Sequence, residues 1–340
     1  MAAVNITRRG DTLSQVVRKF SRREVLGVAA ASLAAPALVR AQSGAYPNKP
    51  VKIIVPFSAG SGTDILARVS AEQLQKTTGQ AFIVENQQGG DGVIGTGNVV
   101  RAAPDGYTIG FIPGSPIVMN PALMQLPYDP QKDLIPISNM ATLSFVLVVN
   151  SDLPVKNVQE LVAMAKARAG KMNYAAGSTV VHLAGELFKY ATGIDIQAIP
   201  YRGTAPQVTA VLAKEVEMTF DPFLGIQHVK GGRLRALAVT APKRSSLLPD
   251  VPTMQEAGLR DYAVETWVGV FAPAKTPRPI IDLLQREMIR ISGLPEVRDR
   301  LASLSYDPVG STSDQFAAQI VNDTARWAKT VKDTNFKVNK

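Results

Sequence analysis

The stretch Pro56-Phe57-Ser58-Ala59-Gly60-Ser61-Gly62-Thr63-Asp64 gathers small residues, hydroxyls and one carboxylate between a β-branched run, Val51 to Val55, and an amphipathic stretch from Asp64 to Thr77. A strand-to-helix turn built of such residues points main-chain N–H groups into the space above the sheet edge, where an anion can replace water. Small side chains at 58–62 let a ligand approach the backbone, while Thr63 and Asp64 can cap the helix or order water. A purely structural tight turn is the alternative. A second candidate, Gly177-Ser178-Thr179, leads to His182, which stands four residues before Glu186 and so on the same helix face. Two ligands do not complete a metal site, and His182 either packs at the helix start or helps to hold an anion. Asp221 closes the run Met218-Thr219-Phe220-Asp221-Pro222. That position suits a cleft residue meeting an amino or hydroxyl group, and equally a cap for a helix beginning at Pro222. Tyr201-Arg202-Gly203-Thr204 also follows a strand; its amides and Arg202 can attract a carboxylate, or Arg202 is a solvated rim residue. Gly114 and Ser115, after the third strand, complete the candidate ligand-binding set, and Trp267 reads as core.

Several chemistries fail on spacing or inventory. The chain has no Cys, which removes disulfides, thiolate metal sites and cysteine nucleophiles, and its two His (His182 and His228) make a His-rich metal centre improbable. There is no G-x-x-x-x-G-K-[ST]. Gly90, Gly92 and Gly95 satisfy G-x-G-x-x-G, but the following strand runs into Pro113-Gly114-Ser115 with no acid for a ribose. Ser58 has Pro56 two residues before it and so misses the G-x-S-x-G nucleophile elbow. No cofactor, metal or catalytic residue is expected. An exported hydrolase on a similar α/β frame is the runner-up, and a ligand-sensing regulatory domain would need a DNA-binding helix pair that the N-terminus does not offer.

The elements that must position these residues follow one repeated unit: a short β-branched run, a Gly- or Pro-bearing turn, and an amphipathic stretch. Strands are expected at 51–55, 81–85, 108–112, 145–149, 172–175, 196–200, 216–220 and 234–240. Helices are expected at 64–77, 158–167, 183–190, 205–212, 280–291 and 313–332, the last with Ser313 and Asp314 as N-cap acceptors. Such alternation predicts α/β architecture with parallel sheet covered by helices. At 340 residues the chain is long enough for about two domains and therefore for a cleft between them. With 46% apolar and 19% charged residues the composition is globular rather than disordered or fibrous.

The net charge of +9 is unevenly placed: residues 1–41 hold seven basic and two acidic side chains, leaving only +4 on the rest. That mild surplus, without a basic run interleaved with aromatics, suits small anions rather than nucleic acid. Within the basic segment, Ser21-Arg22-Arg23-Glu24-Val25-Leu26 opens an uncharged stretch from Val25 to Val39. Fifteen helical residues reach roughly 22 Å, short of a hydrocarbon core of roughly 30 Å, so a cleaved export signal fits better than a membrane span. The arginine pair resembles a twin-arginine signal, and Val39 with Ala41 places cleavage after Ala41 in the periplasm.

A series of ordered blocks across residues 45 to 335 resembles the substrate-binding receptors of tripartite tricarboxylate transporters, the Bug family of periplasmic proteins. The blocks are Tyr46-Pro47-Asn48-Lys49-Pro50, Val55-Pro56-Phe57-Ser58-Ala59-Gly60, Val84-Glu85-Asn86, Gly95 and Pro104-Asp105-Gly106-Tyr107-Thr108, then Tyr128-Asp129-Pro130 and Pro200-Tyr201-Arg202-Gly203. They continue through Leu234 to Thr240, Asp250-Val251-Pro252-Thr253 and Glu256-Ala257-Gly258. The resemblance implies a two-lobed, type II-like periplasmic binding protein with two interdomain crossings, closing on a small carboxylated ligand in Venus-flytrap fashion. It implies lobes at about 45–142 plus 266–340 and 143–265, a membrane permease as partner and a monomeric receptor. It also implies that one ligand carboxylate meets main-chain amides and ordered waters at Phe57 to Asp64 and Gly177 to Thr179, with Asp221 reaching the variable end. Ser61 stands where the family often has a second Gly, and the Gly177 loop lacks the usual longer Gly/Ser-rich form.

Overall fold

The computed structural model describes residues 46–336. The expected export segment, with Arg22, Arg23 and the cleavage point after Ala41, lies outside the described residues. Six strands form the first sheet: β1 (Val51–Val55), β2 (Phe82–Asn86), β3 (Thr108–Pro113), β4 (Leu134–Ser144), β10 (Glu265–Pro273) and β11 (Tyr306–Pro308), in the order β11-β4-β10-β3-β1-β2. Five form the second: β5 (Val146–Asn150), β6 (Met172–Ala176), β7 (Ile196–Pro200), β8 (Met218–Asp221) and β9 (Leu234–Val239), in the order β7-β6-β8-β5-β9. The helices that follow strands are α1 (Gly62–Thr78), α2 (Val93–Val100), the short α3 (Asn120–Leu123) after a π-helical turn at Ser115–Met119, α4 (Val158–Ala167), α5 (Thr179–Thr192), α6 (Thr204–Leu212) and α7 (Ile226–Lys230). Three more, α8 (Arg278–Gly293), α9 (Pro295–Ser303) and α10 (Ser313–Thr334), complete the described chain.

In each sheet one strand has its two successors on opposite sides. β1 lies between β2 and β3, and β6 between β7 and β8, all four pairs parallel. The loops leaving such a strand splay apart and open a crevice beyond its carboxyl end. The two glycine-bearing loops at Gly60 and Gly177 leave the molecule's two switch points, which is a topological reason for both to be binding loops.

The chain passes from the first sheet to the second across Phe145 alone and returns between β9 and β10. Thr240, fully buried, ties the two crossings together. Its amide donates to the Phe145 carbonyl at 2.8 Å, its hydroxyl accepts from the Phe145 amide at 2.9 Å, and the same hydroxyl donates to the Val264 carbonyl at 2.5 Å. Beside this junction one apolar cluster runs through both sheets, joining Ile112, Trp267 and Phe271 to Leu147, Phe188 and Phe220. A second cluster, including Ile53, Leu66, Phe111 and Leu284, lies under α1 and α8, and a third, including Val148, Val208 and Phe223, belongs to the second sheet. Trp267 is core, with its ring 4.8 Å edge-on from Phe316 and Nε1 donating to Asp323 at 2.9 Å.

The sheets are mixed, not parallel throughout. β10 runs antiparallel to β3 and β4, and β5 antiparallel to β8 and β9, because each of these strands enters its sheet from the other one rather than through a right-handed βαβ crossover. Periodicity carries no strand direction, so this was not readable locally. β4, eleven residues long, is also absent from the expected set. Its buried Ser138 and Asn139 break the apolar alternation and are paired instead, Ser138 Oγ donating to the Ser311 carbonyl at 2.8 Å and Asn139 Nδ2 to Gln319 Oε1 at 3.0 Å. The cap of α10 is Thr312, which forms a capping box with Gln315, and not Ser313 or Asp314. Ser313 is turned toward the sheet, its hydroxyl donating to the Pro136 carbonyl at 2.6 Å. Among the described residues no helix is long and apolar enough to cross a membrane.

Candidate functional site

The loop after β1 is held from within. Ser61 is the N-cap of α1, its hydroxyl accepting from the Asp64 amide at 3.3 Å. The Asp64 carboxylate, 2% exposed, accepts from the Gly60 amide at 2.9 Å, from Asn86 Nδ2 at 2.9 Å and from Arg68 Nε at 3.1 Å. Burial alone would raise its pKa, but the bonds from Arg68, Gly60 and Asn86 outweigh that and hold it below the ordinary carboxylate value. Asp64 therefore organises the loop. The Ser61 amide donates to the Ser58 carbonyl at 3.2 Å. The amides of Ser58, Ala59, Gly62 and Thr63 take no acceptor from the described chain, so this helix start keeps N–H groups open to an incoming anion.

Tyr306 lies across that helix start. A Cβ at Gly62 would stand 2.6 Å from the Tyr306 hydroxyl, so glycine is what allows the phenol to rest on the first turn of α1. Burial pushes the phenol up to about 12, partly offset by its bond with Thr63, so it stays a protonated hydroxyl at neutral pH. The Phe57 ring lies beside Gly92: a Cβ there would meet it at 3.0 Å.

The loop after β6 is built differently. The Gly177 amide already donates to Gln207 Oε1 at 2.8 Å, and Gln207, fully buried, donates onward to the Phe220 carbonyl at 3.3 Å. A Cβ at Gly177 would stand 2.4 Å from the Gly203 carbonyl, so the loops after β6 and β7 abut. Ser178 caps α5, its hydroxyl accepting from the Val181 amide at 3.5 Å. The Tyr201 amide donates to the Ala176 carbonyl at 2.9 Å and its hydroxyl to Glu215 at 3.3 Å, while Arg202 is exposed. The His182 ring packs edge-on against Phe336 at 4.6 Å and lies 6.1 Å from Tyr174. Burial, with Lys189 nearby, keeps its pKa low despite the opposing pull of Glu186, which fits the packing alternative for this residue. Glu186 itself accepts from the Tyr174 hydroxyl at 2.9 Å and pairs with Lys189 at 3.1 Å.

Asp221 is fully buried at the end of β8. One oxygen accepts from the Gly225 amide at 2.8 Å and closes the turn into α7, which starts at Ile226 and not at Pro222. The other oxygen, Oδ1, has no partner. Burial pushes this carboxyl up to about 6, against the lowering effect of the Gly225 and Leu224 amides.

Loops of the two sheets face each other at several places. A cavity of about 520 Å³ has Gly60, Gly62, Ile65 and Tyr306 on one wall and Thr204, Pro222, Phe223 and Leu224 on the other. Elsewhere the Asp91 carboxyl, raised by burial, faces the hydroxyls of Ser115 and Thr179 and the Asn120 side chain. Gly114 is tied to the first sheet, its amide donating to the Trp267 carbonyl at 3.0 Å. Gly177, Ser178, Thr179, His182 and Tyr201 open instead onto a separate cavity of about 480 Å³ that reaches Phe336. Sequence reasoning missed Tyr306, Phe223, Gln207 and Asp91. Only Asp91 left a signal, a lone acid within the glycines 89–92, where it adopts φ +50°.

Residues 66–336 match the family model described as tripartite tricarboxylate transporter family receptor. The chain is 36% identical to protein BugT of Bordetella pertussis over 316 residues, covering 92% of this chain and 96% of that one. Among solved structures, R. palustris Rpa4515 with adipate is 31% identical with a TM-score of 0.77, covering 85% of this chain and 98% of that one. MatC from Rhodopseudomonas palustris with bound malate is 29% identical with a TM-score of 0.74, covering 84% and 100%. The second switch-point loop lies inside the residues matched by the family model, and the first ends just before them. The chain belongs to the tripartite tricarboxylate transporter receptor family of periplasmic solute-binding proteins.

Proposed function

We propose that this protein is a periplasmic receptor that captures a small organic acid between its two lobes and presents the closed form to a membrane permease, with no bond made or broken. The observation that carries this reading is the helix start at Ser58 to Thr63, where the amides of Ser58, Ala59, Gly62 and Thr63 are open while Asp64 and Ser61 fix the loop around them. Amides already oriented can replace a carboxylate's water without reorganisation of the loop. Relatives with adipate and with malate point to the same ligand chemistry. Against a hydrolase stands Ser58, whose hydroxyl bonds to neither histidine among the described residues, while His182 is packed on Phe336.

The lobes are taken as residues 45–142 with 266–340, and 143–265, moving about the Phe145 and Thr240 junction. The protein is taken to act as a monomer, exported by the twin-arginine route and cleaved after Ala41, on the strength of Arg22-Arg23 and the uncharged stretch that follows. A thermal-shift series with mono-, di- and tricarboxylates tests the receptor reading: a ligand at about 100 times its Kd stabilises by about 2.7 kcal/mol. No shift with any organic acid at millimolar concentration would remove it. Replacing Arg22 and Arg23 with Lys should abolish export by that route, and an unchanged periplasmic yield would rule the route out.

A further inference from the structure

The last helix is rooted on the first sheet and ends on the second. α10 is 22 residues long, about 33 Å at 1.5 Å per residue. Its first half is fixed to the first sheet: Ser313 Oγ donates to the Pro136 carbonyl at 2.6 Å, Gln319 Oε1 accepts from Asn139 Nδ2 at 3.0 Å, and Asp323 accepts from Trp267 Nε1 at 2.9 Å. Its second half runs beside α5, where Lys329, Thr330 and Asp333 share a groove of about 760 Å³ with Leu187, Tyr190 and Ala191.

The helix then stops in a defined way. Asn335 takes φ +51°, its amide donates to the Lys332 carbonyl at 3.3 Å, and the Phe336 amide donates to the Val331 carbonyl at 3.2 Å. Those two bonds make a Schellman turn, which folds the residue after the left-handed position back on the helix end. Phe336 is thereby left only 8% exposed, with its ring edge-on to His182 and 4.6 Å between centroids. His182 stands in the first turn of α5, its amide donating to the Ser178 carbonyl at 3.0 Å. Phe336 and His182 line the same cavity as Gly177, Ser178 and Thr179. The chain's described end therefore rests on the helix that opens at the second switch-point loop.

We propose that Phe336 is a positioning residue: seated on His182 by the Asn335 turn, it braces the start of α5, and with it the second switch-point loop, against a helix rooted on the first sheet. What the brace does for a ligand rests on the carboxylate-receptor reading; the brace itself does not. The test is amide hydrogen exchange of the purified protein at His182 and Leu183, with Ile65 at the start of α1 as internal reference. In Phe336→Ala, exchange at His182 and Leu183 should quicken by about tenfold or more while Ile65 changes by less than about twofold. Phe336→Tyr, which keeps the ring, should stay near the unmodified protein. Asn335→Val leaves the ring in place but disfavours the left-handed turn, and should reproduce the effect of Phe336→Ala; Asn335→Gly, which keeps the turn, should not. Calorimetric titration with malate and with adipate reads the consequence, a loss of about fivefold in affinity in Phe336→Ala at full folding, recovered in Phe336→Tyr. Unchanged exchange at His182 and Leu183 in both Phe336→Ala and Asn335→Val would overturn the proposal, and so would an equal rise at Ile65, which marks a general loss of stability. Silence of the unmodified protein toward every organic acid would remove the receptor reading and leave the exchange pattern to decide the brace.

Discussion

The loops that leave β1 and β6 hold equivalent places in their sheets, each at a switch point and each ending in a serine N-cap, yet their glycine amides are taken by side chains of different origin. In the first, a carboxylate from the loop's own helix takes the Gly60 amide and leaves four others open. In the second, Gln207 reaches in from α6 and consumes the Gly177 amide, and Gly203 fills the space where a side chain would stand. The first loop is fixed by a carboxylate of its own helix; the second is fixed by a side chain from another helix and still leaves the amides of Ser178, Thr179 and Val180 without an acceptor among the described residues. Two loops of similar composition can thus be held in place by different partners, because a distant side chain decides which amides are spent.

Asp64 and Asp221 repeat that contrast among carboxylates. Both are buried beside strand-to-helix turns, but Asp64 has three donors on its oxygens and a lowered pKa, whereas Asp221 keeps one bare oxygen and titrates at about 6. Donor count, more than depth, sets the sign.

The largest effect should come from Asp64→Ala. It strands the Gly60 and Asn86 donors and should cost about 3–4 kcal/mol, read by urea denaturation, with ligand affinity falling about tenfold as the loop loosens. A change below about 1 kcal/mol would mean that the loop is held by something else.

Asp221 should show in the pH dependence of stability. Its folded pKa of about 6 lies above the ordinary 3.8, so between those values the folded state binds more protons than the unfolded. Its contribution to stability therefore falls as pH rises through that window, by up to about 3 kcal/mol. Asp64, with its folded pKa lowered, acts oppositely and loses its contribution only as pH falls below the ordinary carboxylate range. Asp221→Asn should flatten the slope between about pH 4 and 6, and an unaltered slope would assign it to another group.

Gly177→Ala presses a methyl against the Gly203 carbonyl and Gln207 and should destabilise by about 2 kcal/mol, with ligand affinity per folded molecule little changed if the Gly177 amide stays committed to Gln207. A strong affinity loss at full folding would show that the Gly177 amide meets the ligand after all. The smallest effect is expected for Tyr306→Phe, which removes the hydroxyl from Thr63 and the helix start and should weaken ligand binding by about 1 kcal/mol in calorimetry.

Strands bounded by Gly, Pro and Asp turns were legible from their β-branched runs between turn residues; Val51–Val55 and Ile196–Pro200 stand where the pattern put them. β4 was not, since its interior polar residues make sense only against Ser311 and Gln319 of a segment more than 170 residues away. The β1 loop could be read from its small residues and position. That Asp64 serves the loop, and that Tyr306 lies on Gly62, could not.

What the amino-acid sequence determined by itself is local and compositional: the strand–turn–helix alternation, the glycine-bearing loop after the first strand, the absence of thiol chemistry, and the ordered blocks that mark the family. The tertiary structure decided which amides remain open, which carboxylates gain donors and which residues face one another across the lobes. Those outcomes depend on hydrogen bonds and contacts between segments far apart in the chain, as between Gln207 and Gly177 or Tyr306 and Gly62, and no local pattern encodes such a partner.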